Sequence, residues 1–379
     1  MFFYMPAKVY VEENCVAAHA GEMASLGAKA LIVTGRRSAV LNGSLADVQA
    51  ALSAHGTGWT VFNEVEENPS VETVMRARDQ GIREKADFVI GIGGGSPMDA
   101  AKAIALMLRH PEAGMEYMYD RNAATDPVPI VCIPTTCGTG SETTANAVLT
   151  RHDLHTKGSI PHKLFARLAL LDGRYLLAAP HQVLMDTTMD ALSHLYESYL
   201  NVNMTDCGKM CVDAGLKVWR RSRDLLLKMA EADAGSAAGK NGTTAGHAPG
   251  LTVQACSDML LASMFAGMAV AHAPTTIPHG LSYTLTYDAK MPHGRACGYF
   301  LSRFLREADP DEADYLLRTA GFESADDLEE YFRITCGRDD VPDSVLERAV
   351  EKVSADAARL AMVPFKVNEA VIRRIAGLE

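Results

Sequence analysis

Between residues 28 and 172 short apolar runs alternate with stretches of helical spacing, and that alternation most narrows the folds open to this chain. Residues 28–34, 59–62, 87–91 and 129–134 read as buried strands. Residues 45–54, 70–84 and 98–108 carry apolar side chains at helical spacing, with Ser70 placed to cap the second of these helices. Strands that are apolar on both faces and joined by helical crossovers form a parallel sheet covered on both sides. Ligands of such sheets sit beyond the carboxyl ends of the strands. Residues 168–172 are the last run of this kind; after Pro180 the strand signals fade and helical patterns continue to the end. A chain of 379 residues exceeds the size at which one core usually stops growing. The expectation is an α/β domain over 1–180 followed by an all-helical domain over 181–379.

Composition excludes some functions. Lys and Arg number 36 against 47 Asp and Glu, a net charge of −11, the wrong sign for non-specific binding to a phosphate backbone. The eight cysteines (15, 132, 137, 207, 211, 256, 297 and 336) include no C-x-x-C pair and read as reduced thiols. The first six residues lack the basic and apolar regions of a signal peptide. No apolar run reaches the ~18 residues of a membrane span. Residues 256–271 read as a core helix too short to cross a bilayer, and residues 235–250, which include His247, as a flexible surface loop without a role. A soluble cytoplasmic protein with no nucleic-acid or membrane partner is expected.

Two loops lie at expected strand ends. In Gly91-Ile-Gly93-Gly94-Gly95-Ser96-Pro97-Met98-Asp99-Ala-Ala-Lys102, three consecutive glycines let the backbone approach a ligand and leave N–H groups available. Ser96 as cap and Pro97 at the first helical position would open a helix whose N-terminus suits a pyrophosphate. The spacing is neither G-x-G-x-x-G nor a P-loop, and a plain tight turn is the alternative. The second loop, Pro134-Thr135-Thr136-Cys137-Gly138-Thr139-Gly140-Ser141-Glu142, is rich in hydroxyls that could serve a ribose, an amide or a phosphate, or only their own backbone.

In the helical half, residues 185–199 place Asp190 and His194 four apart on one helix face, where a carboxylate and an imidazole can grip one divalent cation. A solvated ion pair is the alternative. Two similar turns follow, Ile277-Pro278-His279-Gly280 and Met291-Pro292-His293-Gly294. Two histidines in one local setting, fourteen apart, are best explained by a common target. One Asp with three His is a set fit for Fe²⁺ or Zn²⁺.

These segments, with the glycine turn and the threonine-rich loop, resemble the iron-containing (group III) alcohol dehydrogenase family over nearly the whole chain. The resemblance implies a dehydroquinate synthase-like architecture: a nucleotide-binding α/β domain, an all-helical domain and a catalytic metal. It assigns the metal to Asp190, His194, His279 and His293. It assigns nucleotide contacts to Gly93, Gly94, Gly95, Ser96, Asp99, Lys102, Thr135, Thr136, Thr139 and Gly140, and to Lys157 near the ribose. Two departures stand out. Many NAD-using members carry an Asp after the first strand, which accepts from the ribose 2′-OH. Here Gly35 stands there, followed by Arg36 and Arg37, which leans the reading to NADP(H) over NAD(H). Several members also have a further histidine four residues after the third ligand. Here it is Tyr283, and a phenol is a poor base at neutral pH.

The implied reaction is hydride transfer between a nicotinamide and a small alcohol or aldehyde, with the metal as Lewis acid. Leu281, Ser282, Tyr283 and Thr284, apolar and hydroxylic, favour an uncharged substrate. A lyase of the dehydroquinate synthase type and a non-catalytic nucleotide sensor are the alternatives. Apolar helices point to a homodimer or higher homo-oligomer.

Overall fold

The structure is a computed structural model, described over residues 3–154, 156–235, 250–337 and 340–378. His155 and His247, and most of the predicted 235–250 loop, lie outside the described residues. The chain divides into two compact units. One comprises Tyr4–Thr136 and Gly140–Ala179; the other comprises Pro180–Glu379 with Met1–Phe3 and Cys137–Thr139.

The first unit is built on six strands: β1 (Lys8–Val11), β2 (Lys29–Gly35), β3 (Gly58–Val65), β4 (Phe88–Gly93), β5 (Ile130–Pro134) and, after a hairpin of β6 (Val148–Arg151) and β7 (Thr156–Ser159), β8 (Leu168–Leu171). Their order is β1-β8-β5-β4-β2-β3, every pair parallel, as the apolar runs require. Neighbouring residues of one strand point to opposite faces. Leu31, Val33, Val89 and Cys132 therefore pack in one core with the helices Val71–Arg83 and Gly95–Arg109. Ala30, Ile32, Ile90 and Val131 join the other core, with Val48 and Leu52 of the helix Ser44–Ala54. Each fully buried Ile or Val contributes about 1.5–3 kcal/mol relative to exposure, so two dry faces hold the sheet.

β1 and the hairpin were not anticipated. β1 is four residues at the sheet edge with no fully buried position, and the hairpin is a separate two-stranded ribbon. Ser70 caps its helix as expected, accepting from Thr73 N at 3.2 Å. Ser96 does not: the helix starts at Gly95 with Gly94 as N-cap, and the Ser96 hydroxyl accepts from Asn68 N at 3.1 Å. The third glycine needs no side-chain cap to enter the helix, so helical geometry begins one residue before Ser96.

In the second unit the described residues between Pro180 and Leu378 form helices only. His181–Tyr199 packs against Asp206–Gly235, Val253–His272 and His293–Glu307. Fifteen of the nineteen residues of His181–Tyr199 are buried, which makes it the central element of this unit. Val253–His272 corrects the expected length: at 20 residues it could cross a membrane by length and composition. Half of its most apolar window is nevertheless buried, including Cys256, Met259, Leu260 and Ala266, so it serves as a core helix.

Candidate functional site

Asp190 and His194 sit one turn apart on His181–Tyr199, 2% and 8% exposed. His279 is the third residue of the helix Ile277–Asp288, and His293 opens the helix His293–Glu307. Pro278 and Pro292 stand at the two helix starts, the fixed φ of proline suiting a first turn. The two glycines that follow serve packing. A Cβ at Gly294 would lie 2.0 Å from the Asp186 carbonyl oxygen and 2.9 Å from the Asp190 Cβ. His293 therefore reaches Asp190 only because its neighbour has no side chain. At Gly280 a Cβ would meet Arg359 Cδ at 2.7 Å.

The four predicted ligands converge. His194 Nε2 is 3.0 Å from His279 Nε2, and Asp190 Oδ1 lies 3.6 Å from His279 Nε2 and 3.9 Å from His293 Nε2. Both paired rings are oriented from behind. His194 Nδ1 is 3.2 Å from the Gly138 carbonyl, and His279 Nδ1 bonds the Glu197 carboxylate. With each Nδ1 donating outward, the two Nε2 atoms face one another, and a positive charge has to lie between them. A proton satisfies the two nitrogens but leaves Asp190 Oδ1, which is buried and accepts no hydrogen bond. A buried acceptor left without a hydrogen bond costs about 1–3 kcal/mol. A divalent cation meets the nitrogens and the oxygen together, and neutral imidazole with carboxylate is the donor set that binds one. Burial would raise the Asp190 carboxyl; the imidazoles of His194, His293 and His279 outweigh it and hold it well below the ordinary range. Burial lowers His194, against the pull of the Asp190 carboxylate.

Three residues not assigned from the sequence belong to this centre. Glu197, fully buried, also accepts from Thr276 N at 2.7 Å and His279 N at 3.3 Å. Gly138 has no room for a Cβ, which would be 2.8 Å from the Thr187 carbonyl and 3.0 Å from Asp190 Oδ2. Cys297 lies with Asp190, His279 and His293 in a group whose donor atoms are all within 4.8 Å of one another. Glu197 and Cys297 were visible as residues one helical turn beyond His194 and His293. Gly138 was not, since the ring it bonds, His194, is 56 positions away on another segment.

Tyr283, one turn after His279, is 43% exposed and stacks on His293 with ring centroids 6.0 Å apart. Leu281, Ser282 and Thr284 correct the expected lining: all three are buried at 2% exposure or less, and Ser282 donates to the His279 carbonyl at 2.8 Å. They offer a substrate no surface.

In the sheet unit, Gly93 ends β4 at φ +149°, where a Cβ would strike the Pro97 ring at 2.6 Å. Gly94 clears Thr136, and Gly95 and Ser96 form the first helical turn, which carries no acidic residue. Thr135 N donates to Gly93 O at 2.9 Å, and the Thr135 hydroxyl is buried without a partner. Asp99 and Lys102 turn inward. Asp99 accepts from Ser141 Oγ at 2.6 Å and Val148 N at 2.9 Å. Lys102, fully buried, donates to Ser141 Oγ at 2.8 Å, Thr144 Oγ1 at 3.2 Å and Asn146 O at 2.8 Å. Gly140, at φ +56°, is the left-handed start of that loop, and Thr139 groups with the helical unit. Lys157 lies on β7 and bonds the Asn68 side chain. Gly35 ends β2, followed by exposed Arg36 and Arg37.

Residues 6–173 match the family described as iron-containing alcohol dehydrogenase, and residues 241–322 match that family's C-terminal description. Lactaldehyde reductase of Escherichia coli K12 is 30% identical over 282 residues, 73% of this chain and 68% of that one. The chain belongs to the iron-containing alcohol dehydrogenase family. Sulfoacetaldehyde reductase of Bilophila wadsworthia is 29% identical over 82% of this chain and 76% of its own length. Among solved structures, an iron-containing alcohol dehydrogenase of Thermotoga maritima superposes with a TM-score of 0.84 at 32% identity, covering 99% of this chain and 98% of that one. The family makes this chain an oxidoreductase acting on CH–OH groups, as the resemblance implied, and leaves the lyase and the sensor without support.

Proposed function

We propose that the chain interconverts a small alcohol and its aldehyde at a divalent cation held by Asp190, His194, His279 and His293, with a nicotinamide dinucleotide as the redox partner. The observation that carries this is the unpartnered Asp190 Oδ1 beside two imidazole nitrogens that need a shared cation. A cation bound there supplies Lewis acidity, which eases loss of an alcohol proton or polarises a carbonyl. The protein's own part is orientation. Gly138 and Glu197 fix two rings with Nε2 inward, and burial keeps water from three of the four donors. The Tyr283 phenol, exposed beside His293, can donate a hydrogen bond to a substrate oxygen but offers no neutral-pH base.

For the dinucleotide, the 93–96 turn, which opens a helix with no acidic residue in its first turn, supports phosphate binding together with Thr135, Thr136 and Gly140. Lys157 stands further along for the ribose. Asp99 and Lys102 act through the 141–148 loop, since their polar atoms are engaged within the protein. Gly35 with Arg36 and Arg37 supports NADP(H). The ligand set accepts Fe²⁺ or Zn²⁺; the family favours iron. Cytoplasmic location and a homo-oligomeric state complete the reading, the former supported by eight cysteines with no disulfide among them. Metal analysis of anaerobically purified protein, with NADH and NADPH oxidation measured against short aldehydes, tests it. About one metal per chain and aldehyde-dependent oxidation are expected; turnover in an Asp190→Ala protein that holds no metal would refute the assignment.

A further inference from the structure

The Asp190 centre contains one donor more than the four ligands. Cys297 stands one turn beyond His293 on the same helix and is fully buried. Its sulfur is 3.8 Å from His293 Nε2 and lies within 4.8 Å of the donor atoms of Asp190 and His279 as well. His194 is outside that tight group, although its Nε2 is 3.0 Å from that of His279. Cys297 thus completes a group of four donors with Asp190, His279 and His293, and His194 joins it through His279.

We propose that Cys297 is itself a ligand of the cation, through its thiolate. The inference rests on the reading of Asp190 as a metal centre. A thiol near a histidine would by itself mean little. Here its sulfur lies within 4.8 Å of a carboxylate oxygen of Asp190, a residue 2% exposed whose Oδ1 accepts no hydrogen bond. The sulfur stands 3.8 Å from His293 Nε2 and 3.9 Å from its Nδ1, beside the ring, so an ion shared by both donors needs the imidazole to turn its Nε2 toward the sulfur. On binding, the S–H bond breaks, its proton passes to solvent, and the sulfur lone pair goes to the cation. With Asp190 and Cys297 both anionic, the site carries two negative donors and one soft one, which tilts selection from Fe²⁺ toward Zn²⁺ and Co²⁺.

The test uses the full chain, stripped of metal and reloaded with Co²⁺. The native protein is expected to show visible cobalt ligand-field bands together with a near-ultraviolet thiolate-to-cobalt charge-transfer band. Cys297→Ser should keep the bound cobalt, shift the visible bands and lose the charge-transfer band. Cys137→Ser, whose thiol faces Thr187 and Thr188 at 3.3 and 3.5 Å, should keep all of them. Cys297→Ala guards against a misfolded serine variant. Bound cobalt with no charge-transfer band in the native chain overturns the proposal and leaves the metal centre standing. The proposal also falls, with the metal centre intact, if the band survives Cys297→Ser or vanishes in Cys137→Ser alone. A native chain that binds no cobalt overturns both readings.

Discussion

Glu197 shows how much one side chain outside the ligand set can control. Its Oε2 accepts from Thr276 N and His279 N, while Oε1 accepts from His279 Nδ1. Glu197→Gln keeps the size and one carbonyl oxygen but turns an amide NH₂ toward that Nδ1. The ring must then accept there, which puts its proton on Nε2, the atom the cation needs. Metal affinity should fall about 10–100-fold with the fold intact. Calorimetric titration of the metal-stripped protein with Zn²⁺ measures it, and equal affinity in the two proteins would show that the carboxylate does not set the tautomer. Gly35 offers a second test at this scale. A Cβ there would be 3.6 Å from the Val65 carbonyl, an ordinary contact, so Gly35→Asp is tolerated by the backbone. A carboxylate there would accept from a ribose 2′-OH and repel a 2′-phosphate. The ratio of kcat/KM for NADPH over NADH should drop by roughly tenfold or more, the worth of one charged hydrogen bond. An unchanged ratio would place the 2′ position elsewhere.

At the scale of elements, the loop after β5 stores a titration. Glu142 is 1% exposed, its Oε1 has no partner, and burial pushes its carboxyl up to about 7 against the pull of Lys102. A carboxyl raised in the folded state favours the protonated fold. Its contribution is full at the low-pH end and declines as pH rises from the unfolded value, near 4.5, to the folded one, near 7. That decline amounts to about 3 kcal/mol. The native chain should therefore lose more thermal stability between pH 5 and 7.5 than Glu142→Gln; parallel melting curves would mean the carboxyl titrates normally. Which elements could be read from the sequence follows the same physics of burial. β2, β4 and β5 are dry on both faces and left continuous apolar runs. β1 and the hairpin are short and partly exposed, so their composition does not separate them from loops. The pattern of Asp190 and His194 is a helical period and stood out; the twin Pro-His-Gly turns were recognisable as a repeat. Ser96 and the 281–284 lining were misjudged because side-chain direction is settled by what packs against a helix. Three of those four lining residues face inward.

Over the whole chain, the two compact units have different sources of order, and a bound cation should reveal it. The sheet unit is held by two apolar cores, with no donor of the Asp190 centre among its residues. The helical unit contains all the proposed ligands, and with them Cys137–Thr139, the piece of the threonine-rich loop that carries the Gly138 carbonyl. A ligand that binds only the folded form stabilises it by RT ln(1 + [L]/Kd), about 2.7 kcal/mol at a hundredfold excess over Kd. Amides that exchange through opening of the ligand-bearing unit should slow by a similar factor, roughly a hundredfold. Hydrogen exchange with and without Zn²⁺ should show this slowing in His181–Tyr199, in Ile277–Asp288, in His293–Glu307 and in the 137–139 segment. Strands β2, β4 and β5 should exchange as before. Protection that appears in those strands and spares the three helices would place the cation outside the Asp190 centre. The predicted pattern is demanding because the 137–139 segment follows β5 directly in sequence yet should behave like helices that begin more than forty residues later.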